Sequence, residues 1–199
     1  MSEFDARART WDNDKMHLDR SVAIAAGIER RIPVLPSMKV LEYGAGTGIL
    51  SFLLKDRFSE ITLMDNSQEM IKVCQEKCEY HQTNHIFPLV FDLEHRDFDR
   101  TFDLIYTQMV MHHVDDTTAM FRKFYNLLNP GGYLAVADLY PEDGSFHGPG
   151  VNVHLGFDPL ELSKVLADIG FGNVGFESCF EIKRPTGQLF PVFLLTAQK

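Results

Sequence analysis

Near the start of the chain, hydrophobic residues first recur at the spacing of a helix and then form short continuous runs. Val22, Ile24, Ala25, Ile28 and Ile32 are spaced along one helical face, which predicts a helix over Asp19–Ile32. Pro33 and Pro36 end it, since proline cannot continue a helix. The next runs predict a strand over Lys39–Tyr43 and a buried helix over Ile49–Lys55.

The same alternation continues through the middle of the chain. Asn66 and Glu69 fit a capping box at the start of the second predicted helix of this stretch. Pro88 removes a hydrogen-bond donor from its strand and therefore predicts a position at the edge of the sheet. The predicted elements are strand Glu60–Met64, helix Asn66–Cys78, strand His85–Phe91, strand Phe102–Thr107 and helix Asp116–Leu128.

The last third of the chain ends in a hairpin. After a strand over Tyr133–Leu139 and a loop over Tyr140–Phe157, a capped helix begins at Asp158 and ends at Gly170. Alternation then predicts a strand from Val174 to Ile182 and a last strand over Val192–Ala197. Pro191 fits there only if pairing begins at Val192.

Strands separated by single helices predict an α/β fold with a doubly wound sheet. Right-handed crossovers make such a sheet parallel, and the final hairpin adds an antiparallel strand. We therefore predict one domain with a mostly parallel, seven-stranded sheet and an antiparallel C-terminal strand. Ligands of such sheets bind beyond the carboxyl ends of the strands.

A glycine-rich loop follows the first predicted strand. Gly44, Gly46 and Gly48 alternate between the strand and the next helix, where missing side chains let a ligand approach the backbone. A tight turn alone is the plain alternative. The dinucleotide fingerprint G-x-G-x-x-G needs a glycine where Ile49 stands, so a nicotinamide oxidoreductase fits poorly.

Two acids stand at the ends of the next strands. Asp65 ends the second strand, where a carboxylate can accept hydrogen bonds from the hydroxyls of a ribose. Helix capping beside Asn66 is the structural alternative. Asp92 ends the third strand, and with Leu93 it could bind an adenine amino group and cover the ring. Together these residues indicate a nucleoside site.

The set resembles class I S-adenosylmethionine-dependent methyltransferases, from about Thr10 to Lys199. The likeness is carried by Glu42–Gly48, Asp65, Asp92, Phe102–His113 and Leu128–Asp138. It implies a Rossmann-like fold, with a cap segment over residues 1–36 and the cofactor-binding domain over 37–199. Ala8–Asp12 and the segment after the fourth strand are similar to the small-molecule subgroup that includes quinone-biosynthesis methyltransferases. The implied cofactor-binding residues are Glu42, Gly44, Ala45, Gly46, Asp65, Asn66, Asp92, Leu93, Tyr106, Thr107 and His112.

Composition and charge indicate which partners the chain can bind and in which cellular compartment it is expected. A formal charge of −9 opposes binding to a phosphate backbone, so no nucleic acid partner is expected. The family's nucleic-acid amino methylases carry an Asn/Asp-Pro-Pro-aromatic motif after the fourth strand. Thr107–Val110 stands at that position here and lacks the motif, so DNA or RNA amino methylation fits poorly. No stretch has the length and apolarity of a membrane span, no secretion signal is apparent, and three cysteines suit a reducing compartment. We expect a soluble, cytoplasmic protein.

The resemblance predicts methyl transfer from S-adenosylmethionine to a small-molecule acceptor. His112 and His113 are the candidate catalytic bases, for acceptors that must lose a proton. No metal site is expected. A non-catalytic protein that binds S-adenosylmethionine or S-adenosylhomocysteine is the main alternative, and a protein methyltransferase is the third. The acceptor and the oligomeric state are not predicted. Candidates for a lid over the acceptor are Trp11, Tyr140, His147 and His154.

Overall fold

A seven-stranded sheet forms the centre of the molecule. The computed structural model describes residues 3–148 and 150–199. In spatial order the strands run β3-β2-β1-β4-β5-β7-β6. They are β1 (Lys39–Tyr43), β2 (Glu60–Asp65), β3 (Ile86–Val90), β4 (Phe102–Gln108), β5 (Leu128–Leu139), β6 (Gly172–Lys183) and β7 (Leu189–Gln198).

Helices connect most of these strands, and aspartate or serine side chains start four of them. Asp14, Ser67, Asp116 and Asp158 each accept a hydrogen bond from a backbone N–H of the first helical turn. The helices are α1 (Glu3–Arg7), α2 (Lys15–Arg31), α3 (Ile49–Leu53), α4 (Gln68–His81), α5 (Thr117–Leu127) and α6 (Pro159–Ile169). Among the described residues, no helix has the length and apolar character needed to cross a membrane.

The predicted fold class is confirmed. The strands from β3 to β5 pair in parallel, whereas β7 lies antiparallel between β5 and β6. Pro191 belongs to β7, but the pairing of β7 with β5 begins at Val192, opposite Leu139. The pairing of β7 with β6 includes Pro191, opposite Glu181, so the predicted start at Val192 holds only on the β5 side. β3 is at the sheet edge, as Pro88 predicted.

Side chains alternate between the two faces of the sheet and build two cores. Val40 and Leu104 pack with residues of α2, α3 and α4 on one face. Leu41 and Ile105 pack with residues of α5 and α6 on the other. Since both faces are buried, β1 and β4 are apolar along almost their whole length, as expected for the centre of a doubly wound sheet.

Several predicted boundaries were wrong. Ser67, not Asn66, caps α4, because the Ser67 hydroxyl accepts from the Met70 N–H at 3.2 Å. The first long helix begins at Lys15 instead of Asp19, because Asp14 supplies an earlier cap. β5 begins at Leu128 instead of Tyr133, since Leu128 already pairs with Phe102 across a register shift.

Candidate functional site

The glycine loop has the backbone conformation that requires glycine. Gly44, Gly46 and Gly48 have φ angles of +66°, +54° and +77°, which L side chains rarely adopt. A Cβ on Gly44 would lie 2.4 Å from Cγ2 of Val110, so the loop packs directly on the segment after β4. A Cβ on Gly46 would meet only Met70 Sδ at 4.0 Å, which leaves space over this residue for a ligand.

Asp65 ends β2 beside the glycine loop. Its Oδ2 accepts a hydrogen bond from the Gly46 N–H at 2.7 Å, and its Oδ1 accepts one from the Ser67 N–H at 2.8 Å. Burial raises the pKa of Asp65 above its ordinary value, although these backbone donors partly oppose the shift. The contacts fix the carboxylate between the glycine loop and the start of α4.

Asp92 and Leu93 lie at the neighbouring strand end. The Phe91 N–H donates to the Asp65 backbone oxygen at 2.9 Å, so the two acidic segments are adjacent. Burial, together with the carboxylates of Glu94, Asp92 and Asp65, raises the pKa of Tyr43 at the end of β1. The glycine loop and both acids therefore surround one end of the sheet.

The Asp92 carboxylate itself is held by its own loop. Burial acts to raise its pKa, but hydrogen bonds from the His95 ring and from the His95 and Glu94 backbones outweigh burial and lower it. Leu93 is buried, and Asn66 is exposed beside Asp65. These positions put an acid, an apolar side chain and an amide around the space next to the loop.

Glu42 lies under the glycine loop instead of facing the open space. Its fully buried carboxylate accepts from the Ser51 N–H at 3.2 Å and from the Ser51 hydroxyl. The same hydroxyl lies 2.6 Å from the Tyr106 OH. Burial raises the pKa of Glu42 to about 8, because a charged carboxylate is poorly solvated there. Within the described residues Oε1 has no hydrogen-bond partner.

Tyr106 and Thr107 are also enclosed by the core. Their exposed fractions are 0% and 1%, so neither side chain lines an open surface. The Thr107 hydroxyl has no partner among residues 3–148 and 150–199. A direct contact between either side chain and a cofactor would require a rearrangement of the core, and a supporting position under the loop fits the structure better.

His112 is anchored by an acid that the sequence did not single out. Its Nδ1 donates to Oδ1 of Asp138 at 2.6 Å, and its backbone N–H donates to Oδ2 of the same side chain at 3.2 Å. Both residues are buried, on the turn Met111–His113 after β4 and on β5. With Nδ1 engaged, Nε2 is the ring nitrogen left for a ligand or a proton.

Two further histidines lie against His112. The ring centroids of His113 and His147 lie 4.2 Å and 5.0 Å from that of His112. Burial, aided by the two neighbouring imidazoles, lowers the pKa of His113 to about 4. Burial also lowers the pKa of His147. Both rings are therefore neutral near pH 7, and each keeps a nitrogen lone pair that could bind a cation.

The other lid candidates are placed differently. His154 hydrogen-bonds through Nε2 to the Val114 backbone oxygen at 2.9 Å, and its backbone N–H donates to the His112 oxygen at 2.8 Å. It fastens the loop after β5 to the His112 turn. Tyr140 packs edge-on against Phe193, with ring centroids 5.4 Å apart, and so contributes to the core as well as to the loop.

The N-terminal segment contacts both parts of the site. Trp11 stacks on His17 with ring centroids 4.2 Å apart. Phe4 lies edge-on to His113 at 5.4 Å. Asp12 accepts a hydrogen bond from the Thr47 hydroxyl in the glycine loop at 2.5 Å and pairs with Lys77 of α4. The segment thus lies across the strand ends from the glycine loop to the histidines.

In the structure, most predicted site residues lie at the carboxyl ends of the strands. Several residues that the sequence did not indicate lie beside them. The sequence missed Asp138, Ser51 and Ser67, which position His112, Glu42 and Asp65. A polar residue within an apolar strand such as β5 was the available signal for Asp138. No comparable signal distinguished Ser51 or Ser67 from surface serines.

Comparisons with known proteins agree with this geometry. Residues 40–132 match the family described as Methyltransferase domain. An uncharacterised methyltransferase of Schizosaccharomyces pombe is 30% identical over 155 residues, covering 68% of this chain and 54% of its own length. Phosphoethanolamine N-methyltransferase 3 of Arabidopsis thaliana is 30% identical over 147 residues, covering 70% and 30%. The chain thus spans about half or less of the length of these relatives.

A solved structure shows the same fold with ligands bound. It is phosphoethanolamine N-methyltransferase 2 of Haemonchus contortus, in complex with phosphomonomethylethanolamine and S-adenosylhomocysteine. The TM-score is 0.75 at 16% identity, over 91% of this chain and 52% of that chain. At this identity the likeness concerns the fold.

Proposed function

We propose that the chain is a methyltransferase of the class I, S-adenosylmethionine-dependent type and that it transfers the methyl group to a small-molecule acceptor. One observation carries the proposal: the glycine loop, Asp65 and the Asp92–Leu93 segment lie around one space at the carboxyl ends of β1, β2 and β3. S-adenosylmethionine supplies an electrophilic methyl group on a sulfonium. The chain has to align an acceptor with it and exclude water.

The cofactor side would be held mainly by backbone groups and one carboxylate. The open space over Gly46 admits a ligand to the loop. Asp65 has both oxygens fixed by backbone donors, yet each oxygen retains acceptor capacity for a ribose hydroxyl. Asp92 and Leu93 are proposed to contact the adenine. Glu42 and Tyr106 are proposed to support the loop from below, through Ser51.

The acceptor would bind on the side of the histidines. A cavity of about 450 Å³, the size of a small-molecule pocket, is lined by the loop after β5 and includes His147. Nε2 of His112 is the proposed proton acceptor, since Asp138 fixes the ring through Nδ1. His112 does not line this cavity and is buried behind His147, so an acceptor amine or hydroxyl would have to reach past His147 to lose its proton to His112 as it gains the methyl group.

The finer assignment of the acceptor has two sources of support. Ala8–Asp12 and the segment after β4 are similar to the quinone-biosynthesis subgroup, and we keep that subgroup as a proposal. The Arabidopsis relative is named for a small amine acceptor. A cytoplasmic setting is also proposed, consistent with the free thiols of Cys74, Cys78 and Cys179.

We further propose that residues 1–36 form a cap over the bound cofactor. Asp12 links the segment to Thr47 and Lys77, and Phe4 contacts His113. A cap in this position would have to open for the cofactor to enter, and its closure would exclude water from the methyl group.

Calorimetry with S-adenosylhomocysteine tests the cofactor site. We expect saturable binding by the intact chain and a roughly ten- to hundredfold weaker affinity in Asp65→Ala, because hydrogen bonds to a charged group contribute about 1.5 to 3 kcal/mol. Asp168→Ala removes an exposed acid on α6 and is the matched control, with unchanged affinity expected. No binding by the intact chain would refute the proposal.

A non-catalytic binding protein on the same fold is the second candidate. The observation that favours it is the burial of His112, of which 1% is exposed, while the well-formed contacts concern the cofactor side. Incubation with S-adenosylmethionine carrying a labelled methyl group and an extract of small metabolites separates the candidates. Label in small molecules supports methyl transfer, label in polypeptide supports the third candidate, a protein acceptor, and binding without transfer supports the second.

A further inference from the structure

Three histidines from two distant segments converge beside β5. His112 and His113 lie on the turn after β4, and His147 lies on the loop after β5. Each offers one ring nitrogen, and these nitrogens all lie within 4.8 Å of one another. Imidazole nitrogen is a common ligand of zinc and related cations.

Asp138 hydrogen-bonds to the His112 ring, as carboxylates beside metal sites commonly do to a metal-binding histidine. Its Oδ1 accepts from Nδ1 of His112 at 2.6 Å, and its Oδ2 accepts from the His112 backbone N–H at 3.2 Å. The ring orientation is thereby fixed and Nε2 carries the lone pair. Carboxylates in this position orient metal-binding histidines and raise their basicity.

His147 provides an independent observation. Its Nε2 is buried and has no hydrogen-bond partner among the described residues. A buried polar atom without a partner costs about 1 to 3 kcal/mol, so an unpartnered nitrogen on a ring that packs against two other histidines calls for a ligand. Its ring centroid lies 5.0 Å from that of His112 and 5.1 Å from that of His113.

The surroundings are partly apolar and carry few charges. Phe146 lies edge-on to His112 and His147, and Phe4 lies edge-on to His113. Arg184 donates to the Phe146 oxygen, and its positive charge acts on His147. This arginine opposes a cation, whereas Asp138 favours one, so we expect moderate affinity and not the very tight binding of a structural zinc site.

We propose that His112, His113 and His147 bind one divalent transition-metal cation of the zinc class, with Asp138 as the positioning residue for His112. Three protein ligands leave the fourth tetrahedral position for water or for an acceptor atom. Nitrogens in a tetrahedral zinc site lie roughly 3.3 Å apart, given Zn–N bonds of about 2.0 Å. Binding therefore draws His147 and its loop inward.

Metal binding at this site has a consequence for the proposed proton transfer. A cation occupies the Nε2 lone pair of His112, so metal binding and proton acceptance by His112 exclude each other. Metal and proton therefore compete for one nitrogen. A metal-loaded protein would activate an acceptor by coordination, which lowers the acceptor's own pKa, and the acceptor's proton would leave to water instead of to His112.

Calorimetric titration of the untagged, metal-free chain with Zn²⁺, repeated with Co²⁺ and visible spectroscopy, tests the proposal. We expect one equivalent of Zn²⁺ and the absorption bands of tetrahedral Co²⁺. His147→Gln and His113→Gln should each weaken binding at least about tenfold, and Asp138→Asn about ten- to hundredfold. His81→Gln, on the exposed surface of α4, is the matched control and should bind as the parent does.

His147→Gln lies in a loop, and circular dichroism with thermal unfolding verifies that each variant is folded. The proposal is overturned if the parent binds no stoichiometric Zn²⁺, or if His147→Gln and His113→Gln bind as tightly as the parent. Titration of the same samples with S-adenosylhomocysteine is independent of this result. A parent chain that binds S-adenosylhomocysteine but no Zn²⁺ thus refutes the metal site and leaves the proposed methyl transfer untouched.

Discussion

The proposed cofactor side of this molecule, around the glycine loop, and the proposed acceptor side, around His112, are built in different ways. On the cofactor side, the loop Gly44–Gly48 and Asp65 are held by backbone hydrogen bonds near the ends of β1 and β2. On the acceptor side, His112 and His147 meet only because the turn after β4 and the loop after β5 pack together. The first depends on local backbone geometry, and the second on side chains brought together by the tertiary fold.

The two buried acids show the same difference. Glu42 lies under the glycine loop, where its carboxylate accepts a hydrogen bond from Ser51, and burial raises the pKa of Glu42 to about 8. Asp138 on β5 faces the imidazole of His112 instead. A carboxyl group without a cationic partner destabilises the fold as it ionises, whereas one facing a histidine can position that ring.

Substitution of Gly44 should give the largest effect on the cofactor side. In Gly44→Ala the new Cβ would lie 2.4 Å from Val110, and a φ of +66° is strained for alanine. We expect a loss of roughly 2 to 5 kcal/mol of unfolding free energy or, if Val110 shifts instead, at least about tenfold weaker binding of S-adenosylhomocysteine. Urea unfolding and calorimetry measure the two.

Gly131→Ala is the matched control for that substitution. Gly131 has a φ of +79°, but a Cβ there would meet nothing within 4 Å. Only the conformational cost of about 1 to 2 kcal/mol is expected, with cofactor affinity retained. Equal behaviour of the two variants would show that the contact between the glycine loop and Val110 has no energetic role.

Glu42→Gln should reveal a pH dependence on the cofactor side. The folded-state pKa of about 8 lies above the ordinary 4.5, so between these values the folded chain keeps a proton that the unfolded chain releases. The parent should therefore lose stability as pH rises through this window, by up to about 4 kcal/mol between about pH 5 and pH 8. Glu42→Gln, which cannot ionise, should lack this component.

Urea unfolding of both chains across that pH range measures the difference. Glu181→Gln, at an exposed position of β6, is the control and should follow the parent. If the parent and Glu42→Gln lose or gain stability in parallel, Glu42 does not take up its proton on folding. The interpretation of a neutral acid under the glycine loop would then be wrong.

Asp12→Asn should give the smallest effect, because it affects the link between the cap and the glycine loop. Asp12 is partly exposed in its contacts with Thr47 and Lys77, and such a pair contributes about 1 kcal/mol or less. We expect a less than tenfold faster release of S-adenosylhomocysteine, measured by stopped-flow, with fold stability almost unchanged. Asp19→Asn removes the surface ion pair with Lys15 on α2 and is the control. This variant should release S-adenosylhomocysteine at the parent rate. Identical rates in all three chains would contradict a cap that closes on the cofactor.

The parts that could be predicted from the sequence are those that depend on local patterns. The apolar runs, the glycine spacing and the acid at Asp65 follow from neighbouring residues, and they predicted the strands, the sheet class and the glycine loop, although not the strand order. Ser67 was missed as the cap of α4 because Asn66 beside it has an equally good capping side chain. The resemblance implies Glu42 as a cofactor-binding residue, and spacing alone does not show that its carboxylate lies under the glycine loop, hydrogen-bonded to Ser51.

The acceptor side depends on contacts between residues far apart in the chain. His147 could be named as a lid candidate, but its proximity to His112 and His113 depends on how the loop after β5 folds back. Asp138 lies 26 positions from His112, and its role is visible only once β4 and β5 are paired. The predicted sites were therefore more complete for the cofactor than for the acceptor.

A crystal structure of the chain with S-adenosylhomocysteine bound tests the central claim most directly. We expect both ribose hydroxyls within hydrogen-bond distance of the Asp65 carboxylate, and the adenine beside Asp92 and Leu93. The bound S-adenosylhomocysteine should lie over Gly46, where the lack of a side chain leaves open space. Binding of the nucleoside at another face of the molecule, with the space over Gly46 and beside Asp65 left open, would contradict the account.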